Sequence, residues 1–225
     1  MIQTSCLTCA ESCLAGCLTN EEKESLDSNK SCVHFEAGDT ILKQGTYTSQ
    51  VVYIKRGLAK VVLEGTANKT VILRLIDSKQ FVAMPFLGST DVHPYSLITI
   101  SDCEICLIRK EFLEGLNGKN PDVNRFTMGS FFQEYHLLYR RFTEINSLNN
   151  HGKLASALLY ISTFEEGETI LNMLTRKEIA ELACISVESA NKILSELKHE
   201  RIISIEGKKI KIMQPKLIER LSTFG

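Results

Sequence analysis

From about Cys32 to Ile108, apolar residues recur in short runs broken by polar ones. The runs are QVVYIK (Gln50 to Lys55), LAKVVL (Leu58 to Leu63), VILRLI (Val71 to Ile76), LITI (Leu97 to Ile100) and CEICLI (Cys103 to Ile108). Many of these residues are β-branched, and Gly38-Asp39, Gly45, Arg56-Gly57 and Glu64-Gly65 punctuate the runs as turns. This spacing predicts an antiparallel barrel or sandwich. After Pro121 the period changes. Met128, Phe131, Tyr135, Leu138, Phe142 and Ile145 follow one another in steps of three and four, which predicts a single helix to about Leu148. Such a stripe fits the seam of a helix pair, which would make the protein a homodimer, and it fits nearly as well a helix packed on its own barrel. Phe126, Phe132 and Leu137 widen the apolar face enough to serve both roles. Asn149-Asn150-His151-Gly152 breaks the pattern and marks a domain boundary. Lys153 to Phe164 predicts another apolar helix, and Glu165-Glu166-Gly167-Glu168 a charged loop. Ahead of the strands, Thr19 to Asn29 reads as a short polar helix opened by a threonine.

The sharpest local pattern lies between Thr175 and His199. Thr175 with Glu178 three residues later is a capping box. Ile179, Ala180 and Ala183 then share an inward face. The helix breaks at Cys184-Ile185, and Ser186 caps the next one, whose inward stripe is Ala190, Ile193, Leu194 and Leu197. Two short helices with small Ala180 at their crossing predict a helix-turn-helix. Ile202 to Ile205, Glu206-Gly207 and Lys208 to Met213 follow as a β-hairpin, the wing. Helix pairs of this kind also occur as plain packing motifs. The outward residues favour nucleic acid: Glu188, Ser189, Asn191 and Lys192 present short polar groups and a cation where base edges would be met. Thr175, Arg176, Lys177, Lys208, Lys209 and Lys211 are the candidate phosphate contacts, with Lys198 and Arg201 on the same basic rim.

Composition narrows the picture. The 225 residues are 44% hydrophobic and 24% charged, as in ordinary globular domains. Net charge is −1, from 26 Lys+Arg against 27 Asp+Glu, so DNA binding must come from a local patch rather than a global field. No uncharged apolar run reaches the roughly 18 residues of a membrane span, and Met1 to Asn20 lacks the features of a signal peptide. A cytoplasmic protein with no membrane partner is expected. Of eight cysteines, Cys6, Cys9, Cys13 and Cys17 fall within twelve residues, a spacing that points to soft-metal ligation or redox sensing. Cys32, Cys103, Cys106 and Cys184 are scattered. His34, His93 and His136 are single histidines without a partner pattern. No Ser/His/Asp set, phosphate-binding glycine loop or two-histidine-one-carboxylate cluster occurs, so no catalytic residue and no enzyme is expected. The alternative readings are a jelly-roll metal enzyme and a cyclic-nucleotide-type ligand-binding module.

LTRKEIAELACISVESANKILSELKHERIISIEGKKIKI (Leu174 to Ile212) resembles the winged helix of the CRP/FNR family of transcription regulators, and FEAGDTILKQG (Phe35 to Gly45) with VVYIKRGLAKVVL (Val51 to Leu63) resembles that family's β-roll. The resemblance implies an α+β chain: an N-terminal antiparallel β-roll (jelly-roll, cyclic-nucleotide-binding-like), a long dimerisation helix and a C-terminal winged helix-turn-helix. The implied domains are 1-120, a cysteine-rich tip and β-roll effector domain, 121-149, the dimerisation helix, and 150-225, the winged-helix DNA-binding domain. It also implies a two-fold symmetric double-stranded DNA operator, a second copy of the chain and RNA polymerase as partners. Cys184 departs from it, standing where glycine is usual, and carries a left-handed turn without glycine's freedom. The cyclic-nucleotide branch grips ribose through Gly-Glu and phosphate through Arg-Ser. Here Ala83-Met84 and Tyr95-Ser96 stand at those effector-pocket places, so cyclic AMP is not expected. The FNR branch holds an iron–sulfur cluster, and its resemblance implies Cys6, Cys9, Cys17 and Cys103 as ligands, with Cys13 as a fifth candidate for four places. Zinc and haem are the weaker metal readings.

Overall fold

In a computed structural model, residues 13–65, 69–82 and 92–224 are described. The chain divides into two compact units, Met1–Glu64 with Leu75–Leu137, and Gly65–Arg74 with Leu138–Gly225.

Among the described residues two short helices come first, α1 (Cys13–Gly16) and α2 (Asn20–Ser28). The Thr19 hydroxyl caps α2 by accepting the Glu22 amide, and Glu22 answers at the Thr19 amide. The described residues then form the strands β1 (Lys30–Phe35), β2 (Thr40–Leu42), β3 (Gln50–Arg56), β4 (Ala59–Glu64), β5 (Thr70–Ile76), β6 (Gln80–Val82), β7 (Ser96–Thr99) and β8 (Cys103–Arg109). They form two four-stranded sheets, ordered β1-β8-β3-β6 and β2-β7-β4-β5. β8 pairs antiparallel with β1 and β3, β3 with β6, and β7 with β2 and β4, as the alternating runs predict. Inward residues such as Ile54, Leu97 and Ile105 are fully buried. Each contributes about 1.5–3 kcal/mol of hydrophobic stabilisation. Gly57 at the β3–β4 turn has φ +101°, and a side chain there would run into the Asp102 carbonyl and the Cys103 sulfur. Leu14, Leu18, Leu26, Val51 and Ile108 make a further cluster with the helix α3 (Lys110–Asn117) and the start of α4 (Pro121–Ser147).

The helix read from Pro121 runs as expected. Its first turns pack on the β-roll, with Val123 and Thr127 buried and Phe126 half-buried. Beyond them Met128, Phe131, Tyr135, Leu138 and Phe142 are exposed, Phe142 to 67%. Packing on the chain's own β-roll therefore accounts for the start of α4 and leaves the stripe uncovered. Phe132, counted above as widening a buried face, is 62% exposed.

The second unit holds α5 (Asn150–Ser162), α6 (Gly167–Met173), α7 (Arg176–Ala183), α8 (Val187–His199), the hairpin β9 (Ile203–Glu206) and β10 (Lys209–Ile212), and α9 (Pro215–Phe224). Asn149 caps α5 through its side chain. Leu154, Leu158 and Ile161 of α5, Ile179 and Ala180 of α7, and Ile193, Leu194 and Leu197 of α8 are all buried. One expectation needs correcting. Gly167 and Glu168, read as a charged loop, are the first residues of helix α6, and only glycine fits at 167, where a Cβ would lie 2.5 Å from the Ile161 carbonyl oxygen.

Candidate nucleic-acid interface

The helix pair is built by its caps. Thr175 Oγ1 accepts from the Glu178 amide at 3.2 Å, and the Thr175 amide donates to Glu178 Oε2 at 2.7 Å. Ser186 Oγ accepts from the Ser189 amide at 3.1 Å and so starts α8. Between them Cys184 adopts φ 54° and ψ 40°, the left-handed conformation the missing glycine demands. That conformation costs a non-glycine residue roughly 1–2 kcal/mol. Arg141 of α4 braces the turn: its guanidinium donates to the Leu182 carbonyl and approaches Cys184 Sγ at 3.6 Å. Nothing in the local pattern announced this contact, because it joins residues 41 apart in the chain.

With Ala190, Ile193, Leu194 and Leu197 buried, the opposite side of α8 is fixed outward. Glu188, Asn191 and Lys192 are exposed and Ser189 half-buried. The Glu188 carboxyl is held below the usual carboxylate range by its own backbone N–H and then by the Ser186 hydroxyl. It stays an acceptor at neutral pH. Lys192 Nζ lies 4.0 Å from Glu196, whose other oxygen meets His151 Nε2 at 2.8 Å. Asn149, Asn150, His151, Ser189, Lys192 and Ile193 line an open cleft of about 480 Å³ beside the outward face.

The six candidate phosphate residues differ in availability. Lys208 and Lys209 stand exposed at the wing's turn. Lys177 and Lys211 are exposed but lie 3.7 and 3.6 Å from Glu181 and Glu168. Thr175 spends its hydroxyl on the capping box. Arg176 is half-buried, and one guanidinium nitrogen is enclosed without a hydrogen-bond partner. Burial lowers the pKa of that group.

In the β-roll, Ala83 and Met84, like Cys6 and Cys9, lie outside the described residues. Tyr95 and Ser96 are buried. Ser96 Oγ accepts from the Gln44 amide at 3.0 Å and donates to Glu64 Oε1 at 2.8 Å. Glu64 also receives Lys43 Nζ at 2.6 and 2.8 Å, and that bond, then Ser96, lowers its pKa. Ser96 thus faces an ionised carboxylate.

Cys17 and Cys103 each have their own surroundings. Cys17 packs on the cluster containing Ile108, and its carbonyl accepts from Asn120 after α3, beyond the end of β8. Cys103 begins β8, 1% exposed, its thiol turned to the carbonyls of Ser101 and Leu58 at 3.3 and 3.5 Å. Among the described residues no group of three or more His, Cys, Asp or Glu can hold a metal ion. Of the single histidines, His34 and His136 are exposed and His93 is buried.

A capped helix pair with a polar outward face, closed by a two-stranded wing and joined to a β-roll by a long helix, defines a DNA-binding regulator. The comparisons agree. Residues 152–221 match the model of the Crp-like helix-turn-helix domain, and residues 32–120 that of the cyclic nucleotide-binding domain. A transcriptional activator of Rhizobium leguminosarum bv. viciae is 24% identical over 199 residues, 86% of this chain and 82% of its own. The transcriptional activator protein FnrL of Cereibacter sphaeroides is 23% identical over 199 residues, covering 84% and 79%. A crystal structure of a CRP/FNR-family regulator from Eubacterium rectale superimposes with TM-score 0.78 at 16% identity, covering 94% of this chain and 98% of that one. The chain belongs to the CRP/FNR family of DNA-binding transcription regulators. No helix among the described residues is long and apolar enough to cross a membrane.

Proposed function

We propose that the protein works as a homodimer on a two-fold symmetric DNA operator, under a redox or small-molecule signal received in its β-roll, with no catalytic step of its own. The observation that carries this reading is the division of α8: four buried residues anchor it, and Glu188, Ser189, Asn191 and Lys192 are left for base edges. An ionised Glu188 accepts from a cytosine amino group, and Lys192 donates to guanine O6 or N7. Lys208 and Lys209 supply phosphate contacts, with Thr175, Arg176, Lys177 and Lys211 around them. The uncovered apolar stripe of α4 supports pairing with a second copy. The Glu64 carboxylate beside Ser96 would repel a cyclic phosphate, which supports an effector other than cyclic AMP. The relatives' description as activators supports RNA polymerase as a further partner, and such work belongs in the cytoplasm.

The test is selection of binding sites from a random duplex pool with the wild type and Glu188→Ala. Enrichment of inverted half-sites by the wild type, with preference relaxed at one G·C pair by the variant, is expected. An unchanged preference in the variant removes Glu188 from the readout, and no enriched site at all removes the reading.

A further inference from the structure

Cys32 on β1 and Cys106 on β8 are direct register partners, and their sulfurs stand 3.1 Å apart, each able to donate to the other. Opposed residues of an antiparallel pair have Cα atoms about 4.5–5.5 Å apart. A disulfide needs roughly 4.4–6.8 Å between them. The backbone is therefore already correct, and closure asks only that the sulfurs approach by about 1 Å. Cys32 is exposed and Cys106 fully buried.

The row does not stop at the pair. Cys106 is register partner to Tyr53 on β3, and Tyr53 to Phe81 on β6. Side chains of opposed residues share one face of the sheet. Cys106 and Tyr53 form a buried cluster with Phe81 against it, and the Tyr53 and Phe81 rings have centroids 4.7 Å apart. Phe81 meets Phe126 of α4 edge-on at 5.6 Å. One packed line thus runs from a solvent-facing thiol to the first turns of the long helix.

We propose that Cys32 and Cys106 are a redox-modification site: a dithiol that a peroxide closes to a disulfide, with the displacement of Cys106 passed through Tyr53 and Phe81 to Phe126. The regulatory consequence rests on the function proposed above, whereas the chemistry does not. The Cys32 thiolate attacks a peroxide oxygen, the O–O bond breaks, and Cys32 becomes a sulfenic acid as water leaves. Cys106 then gives up its proton, its sulfur attacks Cys32, and a second water leaves. Two thiols have lost two electrons and two protons, and the peroxide has become two waters. A small-molecule thiol reverses the step by exchange. Burial, and then Cys32 itself, push the Cys106 thiol up to about 12, so Cys106 waits as a thiol and the exposed Cys32 meets the oxidant first. Lys55 and Lys30 oppose that rise and ease proton loss at the second step.

The test uses the full chain, reduced under nitrogen, treated with one equivalent of hydrogen peroxide, alkylated in denaturant and mapped by peptide mass. The expected result is one linked pair, the Cys32 peptide joined to the Cys106 peptide, lighter by two hydrogens than their sum and undone by dithiothreitol. Cys32→Ser should lose the link and leave Cys106 alkylated, and Cys6→Ser with Cys9→Ser and Cys13→Ser should leave it intact. Cys32 linked to another cysteine, or carried to sulfinic acid while Cys106 stays alkylated, overturns the site. Amide hydrogen exchange then reads the coupling: closure should cost protection at residues 123–130, and unchanged exchange there overturns the link to α4. Both readouts are taken without DNA, so failure of either leaves the operator reading to its own test.

Discussion

The β-roll and the winged helix treat their polar groups in opposite ways. In the β-roll, Ser96 is buried and satisfied by Gln44 and Glu64, Glu64 is taken by Lys43, and Thr99 donates to the Glu36 carbonyl at 2.5 Å. In the winged helix the hydroxyls of Thr175 and Ser186 are spent on caps, and that leaves Glu188, Asn191 and Lys192 facing water. These described groups of the first region are already taken by partners within it. The second is an open surface whose groups have bonding capacity to spare. Counting from His151, eleven Lys+Arg face ten Asp+Glu, so only the clustering of that surface, and not its net charge, can draw a polyanion.

The contrast can be broken at its shared element, α4. Leu138→Glu with Phe142→Glu places charges on the exposed stripe without touching either core. Sedimentation should show monomers, and operator affinity should fall on the order of 100-fold as two half-sites cease to be bound together. A charged stripe that left dimers intact would move the interface elsewhere.

Gly57→Ala comes next and strikes only the β-roll. The new methyl meets Asp102 and Cys103 within 2.5 Å at a positive φ, so stability should fall by about 1–3 kcal/mol in urea titration. If the packing argument is right, the variant's remaining folded fraction binds DNA normally.

Ser186→Ala is the corresponding change in the open region. Losing the α8 cap should cost roughly 0.5–2 kcal/mol, read as a lower midpoint of thermal unfolding. Lys208→Ala should cost no stability, weaken all sequences about equally and reduce the salt slope of binding by about one.

The smallest effect concerns pH. His93 is buried, and burial, then Lys110, hold its pKa below the ordinary value of 6.5. The unfolded chain therefore binds the proton more readily, and stability present above about pH 6.5 should fade as pH drops through the lowered folded value. His93→Phe should flatten that slope, and an unchanged slope would move its origin elsewhere.

What could be read in advance follows the same division. The winged helix was legible because its signals are local: Thr175 and Glu178, then Ser186, name their own helix starts. The long helix was legible from its period. Helices α1, α3, α6 and α9 carry no such signal. Arg109 and Glu166 cap α3 and α6 with no side-chain bond, so no cap residue marks either start. Strands β2 and β6 have three residues each, too short to show a period. The pairing of Cys32 with Cys106 spans 74 positions and depends on strand register, which composition and spacing do not carry. Cys103 was singled out by resemblance, and its burial at the start of β8 depends on strand packing that the local pattern does not carry.

The central claim is that α8, presented twice, reads one duplex. Sedimentation equilibrium of the protein with a selected operator duplex tests it most directly, because it counts chains per DNA. The account predicts two chains on one duplex, with half-site centres one helical turn apart, about 34–36 Å. One chain per duplex at saturation would contradict it.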